Sequence, residues 1–281
     1  MELTHELREN AGLQWVLERL SPLSPFGKQA ARTPRWYGPG EEAALEEELD
    51  NVALAMELWA AGGTAPQAAE GCGCEAPRVN PADLKDAAAA LPLFHDIRGS
   101  FDREPGTPFD LVELFEIKHF LVTMEQVTDA YAKMPALAGI AFPPLTEAMA
   151  LMDPEGRRLP TFSIVNSYHN DLAPLRVEKA KLEKAIRMTQ EDKRGPLLEK
   201  RRVLAVQEDQ LELEVRRMLT EKLMVYKPEF LANMEALGHL DLIVANNLKE
   251  EGAGFGGSTN RVTLLSQEGE KALPLLSKDQ V

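Results

Sequence analysis

The side chains able to do chemistry are few and scattered. Five histidines, His5, His95, His119, His169 and His239, include no pair at i and i+4, the spacing that sets two imidazoles on one helical face to hold zinc. His119 and His239 sit among apolar helical neighbours and read as structural. The two cysteines, Cys72 and Cys74, are one residue apart, too close for an unstrained disulfide and too few for a closed zinc site. They read as loop thiols. Gly252-Ala253-Gly254-Phe255-Gly256-Gly257-Ser258 fits the Gly-x-Gly-x-x-Gly fingerprint, but a dinucleotide site needs a strand before it, a helix after it and an acid about twenty residues on. Here the pattern before it is helical and only 24 residues follow Gly257. Paired carboxylates such as Glu41-Glu42 and Glu46-Glu47-Glu48 fall on a helical pattern whose wet face needs them. The expectation is a chain that is not an enzyme by itself, with no catalytic residue, no metal site and no cofactor of its own.

The chemistry that does cluster is basic. The formal net charge is −14, yet residues 1–165 hold 26 acids and 13 bases while residues 166–250 hold 15 of each. Between Arg176 and Arg202 there are ten bases against five acids. Lys193, Arg194, Lys200, Arg201 and Arg202 therefore form a local cationic group suited to phosphate oxygens, which would give salt-dependent affinity without sequence choice. A solvated helical pair needs similar side chains, each i, i+4 ion pair being worth a few tenths of a kcal/mol.

The elements that must carry these residues are helical. Leu172, Leu175, Leu182 and Ile186, then Leu197, Leu204, Leu211, Val215 and Leu219, recur at helical spacings on either side of Lys193-Arg194-Gly195-Pro196. That pattern predicts an antiparallel hairpin, with Gly195 closing the first helix at positive φ and Pro196 starting the second. Glu41 to Ala61 is a helix by Leu45, Leu49, Val52, Met56 and Trp59, and Leu114, Ile117, Phe120 and Leu121 make one stripe of another. Glu2 to Leu20 is a further helix, and Thr161 to Val165 a possible short strand. Pro228 should break the return segment near Tyr226, which makes it a hinge candidate. The division that follows is a helical core over 1–165, a hairpin arm over 166–227, a return helix over 228–250 and a glycine-rich tail over 251–281. The fold class is all-α, a helical core bundle with a projecting hairpin. No run of about eighteen apolar residues and no secretory leader is present, so a cytoplasmic protein without membrane contact is expected.

Several segments, in order, resemble the helical core and lever region of the MutS family of DNA mismatch-repair proteins. They are Leu13-Gln14-Trp15-Val16-Leu17-Glu18-Arg19-Leu20-Ser21-Pro22-Leu23-Ser24-Pro25-Phe26-Gly27, Phe94-His95-Asp96-Ile97-Arg98-Gly99-Ser100, Glu113-Leu114-Phe115-Glu116-Ile117-Lys118 and Leu237-Gly238-His239-Leu240-Asp241-Leu242-Ile243-Val244-Ala245. The resemblance covers about residues 10–250. It omits the family's mismatch reader, since none of the ten phenylalanines is followed two residues later by glutamate, and its ATPase, since the glycine cluster lacks the phosphate-loop lysine.

That resemblance implies a lever linking DNA engagement to an ATPase domain absent from this chain. It implies weak, non-sequence-specific contact with duplex DNA through Lys193, Arg194, Lys200, Arg201 and Arg202, a homodimer in the full-length family, and ATP with magnesium in the missing domain. A helical scaffold or dimerisation module without a DNA role is the alternative.

Overall fold

Periodicity of this kind needs partners to pack against, and a computed structural model describes how residues 20–60, 82–104, 106–134 and 136–247 find them. The expectations for Glu2 to Leu20, His5, Cys72, Cys74 and the glycine-rich tail lie outside the described residues. The fold is all-α. Among the described residues the order is α1 (Pro25–Arg32), α2 (Glu42–Ala60), α3 (Ala82–Ala90), α4 (Arg98–Phe101), α5 (Leu111–Tyr131), α6 (Thr146–Met152), α7 (Leu172–Met188), α8 (Gly195–Met224) and α9 (Lys227–Asn247), with 3-10 turns at Leu91–Leu93, Asn166–Tyr168 and Glu191–Lys193. Thr161 to Val165 is irregular, not a strand, because the described residues offer no second strand to pair with it.

Two compact units are assembled from non-adjacent stretches, one from residues 1–95, 124–143 and 232–281, the other from 96–123 and 144–231. In the first, α1 begins where Ser24 caps it, its Oγ accepting the Gly27 amide at 3.0 Å, and Pro25 occupies the first turn, where no N–H is needed. Phe26 meets Phe94 edge-on at 6.0 Å, and Leu84, Leu91, Leu237, Leu240 and Ile243 are buried with them. The Asn51 amide closes a reciprocal pair with the Ala138 backbone, donating at 2.8 Å and accepting at 2.7 Å.

The second unit is centred on phenylalanines. Phe101 lies 4.8 Å from Phe230 and 5.8 Å from Phe109, and Phe120 lies 5.6 Å from Phe230. Leu114, Ile117, Phe120 and Leu121 on α5 are all buried. Thr220 Oγ1 accepts the Phe109 amide at 2.7 Å, so a buried backbone donor is satisfied by a side chain on α8.

In the same unit α7 and α8 run antiparallel. Arg176 bonds Glu208 and Glu212, each at 2.8 Å, Lys179 bonds Glu208 at 2.5 Å, and Arg201 bonds Glu183 at 3.2 Å. From Ala173 to Glu214 no residue is buried, so the two helices half-cover each other and water takes the rest. Gly195 does not close α7 at positive φ. Thr189, extended at φ −93° and ψ 140°, ends that helix earlier, and Gly195 becomes the first residue of α8.

The Lys179 ammonium, followed by the Arg176 guanidinium, holds the Glu208 carboxyl below the usual glutamate range. A depressed carboxylate contributes stability above its unfolded pKa and loses it as pH falls through the lower folded value. Hydrogen-exchange protection in α7, corrected for intrinsic rates, should therefore fall on acidification below about pH 4.3, with roughly 1 kcal/mol at stake. Glu208→Gln should remove most of that pH dependence, and an unchanged profile would refute the assignment.

Candidate functional site

The basic group falls at the turn between α7 and α8 and on the first turns of α8, where three of its five members have partners within the hairpin. Arg194 Nε donates to the Thr189 carbonyl at 2.8 Å, which fastens the connection across the turn. Arg201 pairs with Glu183, and Arg202 lies 3.9 Å from Glu199. Lys193 and Lys200 are exposed. Lys200 borders an open groove of about 870 Å³ between the helices, with Leu182, Val203 and Leu204 among its lining and Glu178, Lys181 and Glu199 balancing its charge. Arg201 is thus tied to the other helix of the hairpin by an acid that the sequence count alone treats as a bystander.

Pro228 is in the first turn of α9, where the absent N–H costs no helical bond. The break in the chain falls at Val225 and Tyr226, between Met224 at the end of α8 and Lys227 at the start of α9.

Two buried polar centres have no counterpart in sequence patterning. In the second unit, Lys118 Nζ donates to Asp153 Oδ1 at 3.2 Å, and the Arg158 amide donates to Asp153 Oδ2 at 2.7 Å. Burial pushes the Asp153 carboxyl up, but the Arg158 amide and Lys118 outweigh it, leaving the group below its usual range. Arg158 has φ 52°, a left-handed conformation uncommon outside glycine. The cleft beside this pair holds about 50 Å³ and is walled by Tyr168, Thr161 and Ser163. Tyr168 Oη donates toward the Leu151 and Met152 carbonyls, and burial raises its phenol far above the usual value.

In the first unit the carboxylate of Asp241, on α9, accepts the Leu23 amide at 2.9 Å, the Ser24 amide at 2.7 Å and the Ser24 hydroxyl at 2.6 Å. Burial pushes this carboxyl up against those hydrogen bonds. Two residues earlier, His239 Nε2 bonds both oxygens of Glu48 on α2, at 2.8 and 2.7 Å. The Asp241 and His239 contacts tie α9 to residues about two hundred positions away in sequence. Among the described residues no group of three or more potential metal ligands converges.

The helix these centres hold leads into the part of the chain with known relatives. Residues 232–281 match the DNA/pantothenate metabolism flavoprotein C-terminal domain family. The chain is 54% identical over 44 residues to the coenzyme A biosynthesis bifunctional protein CoaBC of Bacillus subtilis (strain 168), covering 15% of this chain and 11% of that protein. It is 56% identical over 39 residues to CoaBC of Vibrio vulnificus (strain CMCP6), covering 14% and 10% respectively. The chain spans about a tenth of the length of the curated relatives it matches.

These matches correct the reading of family and function. Leu237 to Ala245, one of the segments that resemble the MutS core and lever region, lies inside the range similar to the flavoprotein family. The MutS resemblance falls, and with it the mismatch-repair lever or DNA-free scaffold as the account of function, the homodimer, and duplex DNA as partner of Lys193, Arg194, Lys200, Arg201 and Arg202. ATP and magnesium in an absent domain rested on that resemblance alone. The error has a physical origin: a run such as Leu240-Asp241-Leu242-Ile243-Val244-Ala245 is what any buried segment of either fold class can present. Among the described residues no helix is long and apolar enough to cross a membrane.

Neither of the two cavities fits a flavin. The Lys118–Asp153 cleft has room for a water or two, since a liquid water takes about 30 Å³, and the groove between α7 and α8 is open along its length with no aromatic side chain lining it.

Proposed function

We propose that the chain serves coenzyme A biosynthesis in the cytoplasm through residues 232–281, a segment of the DNA/pantothenate metabolism flavoprotein type carried on a helical body. The observation that carries this reading is the 54% and 56% identity of short stretches to CoaBC proteins, together with the family match over residues 232–281. The matched range takes in Gly252, Gly254, Gly256 and Gly257, where backbone amides can approach phosphate oxygens without a Cβ in the way. The ligand class is a phosphate-bearing derivative of pantothenate. The chain is proposed to bind this ligand without a flavin.

Equilibrium dialysis of the full chain against coenzyme A, pantothenate and flavin mononucleotide tests this. Coenzyme A should bind, Gly254→Val should weaken it about tenfold or more, and flavin should not be retained. Absence of coenzyme A binding by the unaltered chain would overturn the proposal, and flavin retention would overturn its statement on cofactors.

A further inference from the structure

We infer that the cleft beside the Lys118–Asp153 pair is a binding site for a small monocarboxylate, of the size of formate or acetate, held by the Lys118 ammonium and the hydroxyls of Thr161 and Ser163. The inference goes beyond the proposed function, since every residue it uses lies in the second unit and outside residues 232–281. Lys118 is on α5 with its side chain only 9% exposed, and an ammonium carries three N–H donors. Among the described residues its one acceptor is Asp153 Oδ1, at 3.2 Å. Two donors of a buried cation are left over, and buried donors without an acceptor destabilise the fold until one arrives.

The rest of the cleft decides what that acceptor is. Asp153 is already engaged, its Oδ2 accepting the Arg158 amide at 2.7 Å and the carboxylate also accepting the Arg157 amide. Arg158 makes that contact at φ 52°, a strained conformation of the kind that gathers at ligand clamps. Tyr168 spends its hydroxyl on the Leu151 and Met152 carbonyls, so its ring is a wall and not a donor. Thr161 and Ser163 line the cleft, and among the described residues neither hydroxyl has a partner. Lys118, Arg157 and Arg158 set three positive charges against the two negative charges of Asp153 and Glu155, a balance that favours one negative charge and repels a metal cation. The volume of about 50 Å³ is less than that of two liquid waters at about 30 Å³ each, enough for a planar carboxylate group and too little for a tetrahedral phosphate. Arg157 and Leu159, both well exposed, are among the walls, so a solute reaches the cleft from water. One carboxylate oxygen then accepts from Lys118 in a charge-assisted bond and the other from a hydroxyl.

Backbone amide resonances of the full chain, titrated with sodium acetate at about pH 7, where acetate is ionised, read the site at Asp153, Arg157, Arg158 and Ser163. Their shifts should saturate with a Kd of about 1–10 mM, the range open to so small a ligand, while sodium chloride and inorganic phosphate at matched ionic strength should produce no saturation. In Lys118→Met the affinity for acetate should fall about tenfold or more. Shifts that never saturate, as when water alone fills the cleft, or that persist in Lys118→Met, overturn the inference, and so does equal saturation by chloride or phosphate. Should Lys118→Met fail to fold, the double variant Thr161→Val with Ser163→Ala decides the matter: its affinity for acetate should fall about threefold or more, and an unchanged affinity overturns the site.

Discussion

Replacing Gly27 by alanine should destabilise the first unit by about 3–5 kcal/mol, the range reached when a substitution both collides with the core and breaks a buried polar network. A Cβ built at this position would lie 2.1 Å from Asp241 Oδ2 and 2.5 Å from its Cγ, closer than any real contact. The carboxylate cannot retreat freely, because it accepts the Leu23 amide, the Ser24 amide and the Ser24 hydroxyl. If it moves, buried donors lose their acceptor. If α1 moves, Phe26 leaves its contact with Phe94. Gly238→Ala is the milder companion, its Cβ meeting the Phe26 carbonyl oxygen at 3.0 Å. Urea unfolding followed by circular dichroism should show a clearly lower midpoint for Gly27→Ala than for Gly238→Ala, and a midpoint equal to wild type for Gly27→Ala would disprove the close approach.

Phe230→Ala should cost the second unit about 3–5 kcal/mol, the usual outcome of deleting a buried aromatic ring. Phe230 is fully buried, touches Phe101 at 4.8 Å and Phe120 at 5.6 Å, and so joins residues from α4, α5 and the first turn of α9. The cavity left would face the rings of Phe101 and Phe120. Phe230→Leu should recover roughly half of the loss by refilling volume. Hydrogen exchange should place the damage in peptides from residues 111–123 and 215–231, and an effect confined to other segments would contradict the assignment of Phe230 to that core.

Local chemistry made much of the helical framework legible. Leu114, Ile117, Phe120 and Leu121 follow the 3.6-residue period and are buried together, because one helical face must leave water wherever it lies in the fold. Ser24-Pro25 marks the start of α1 for reasons contained in those two residues and the next turn. The same reasoning misplaced the end of α7, where Gly195 was credited with a positive φ that the extended Thr189 makes unnecessary. The charge count grouped five cations, and the MutS resemblance, which the family match overturns, gave them DNA as a partner. Arg201 and Arg194 meet Glu183 and the Thr189 carbonyl, partners that only the folding of α7 against α8 brings within reach.

What the sequence determined by itself is the all-α character and the faces its helices must bury, since periodicity is a property of adjacent turns. The tertiary structure alone decided that Asp241 caps the approach to α1 from 217 residues away, that Glu48 meets His239, and that Gly27 must remain without a side chain. These contacts depend on which surfaces pack together. Packing is chosen by the free energy of the whole chain, and no local window of residues contains it.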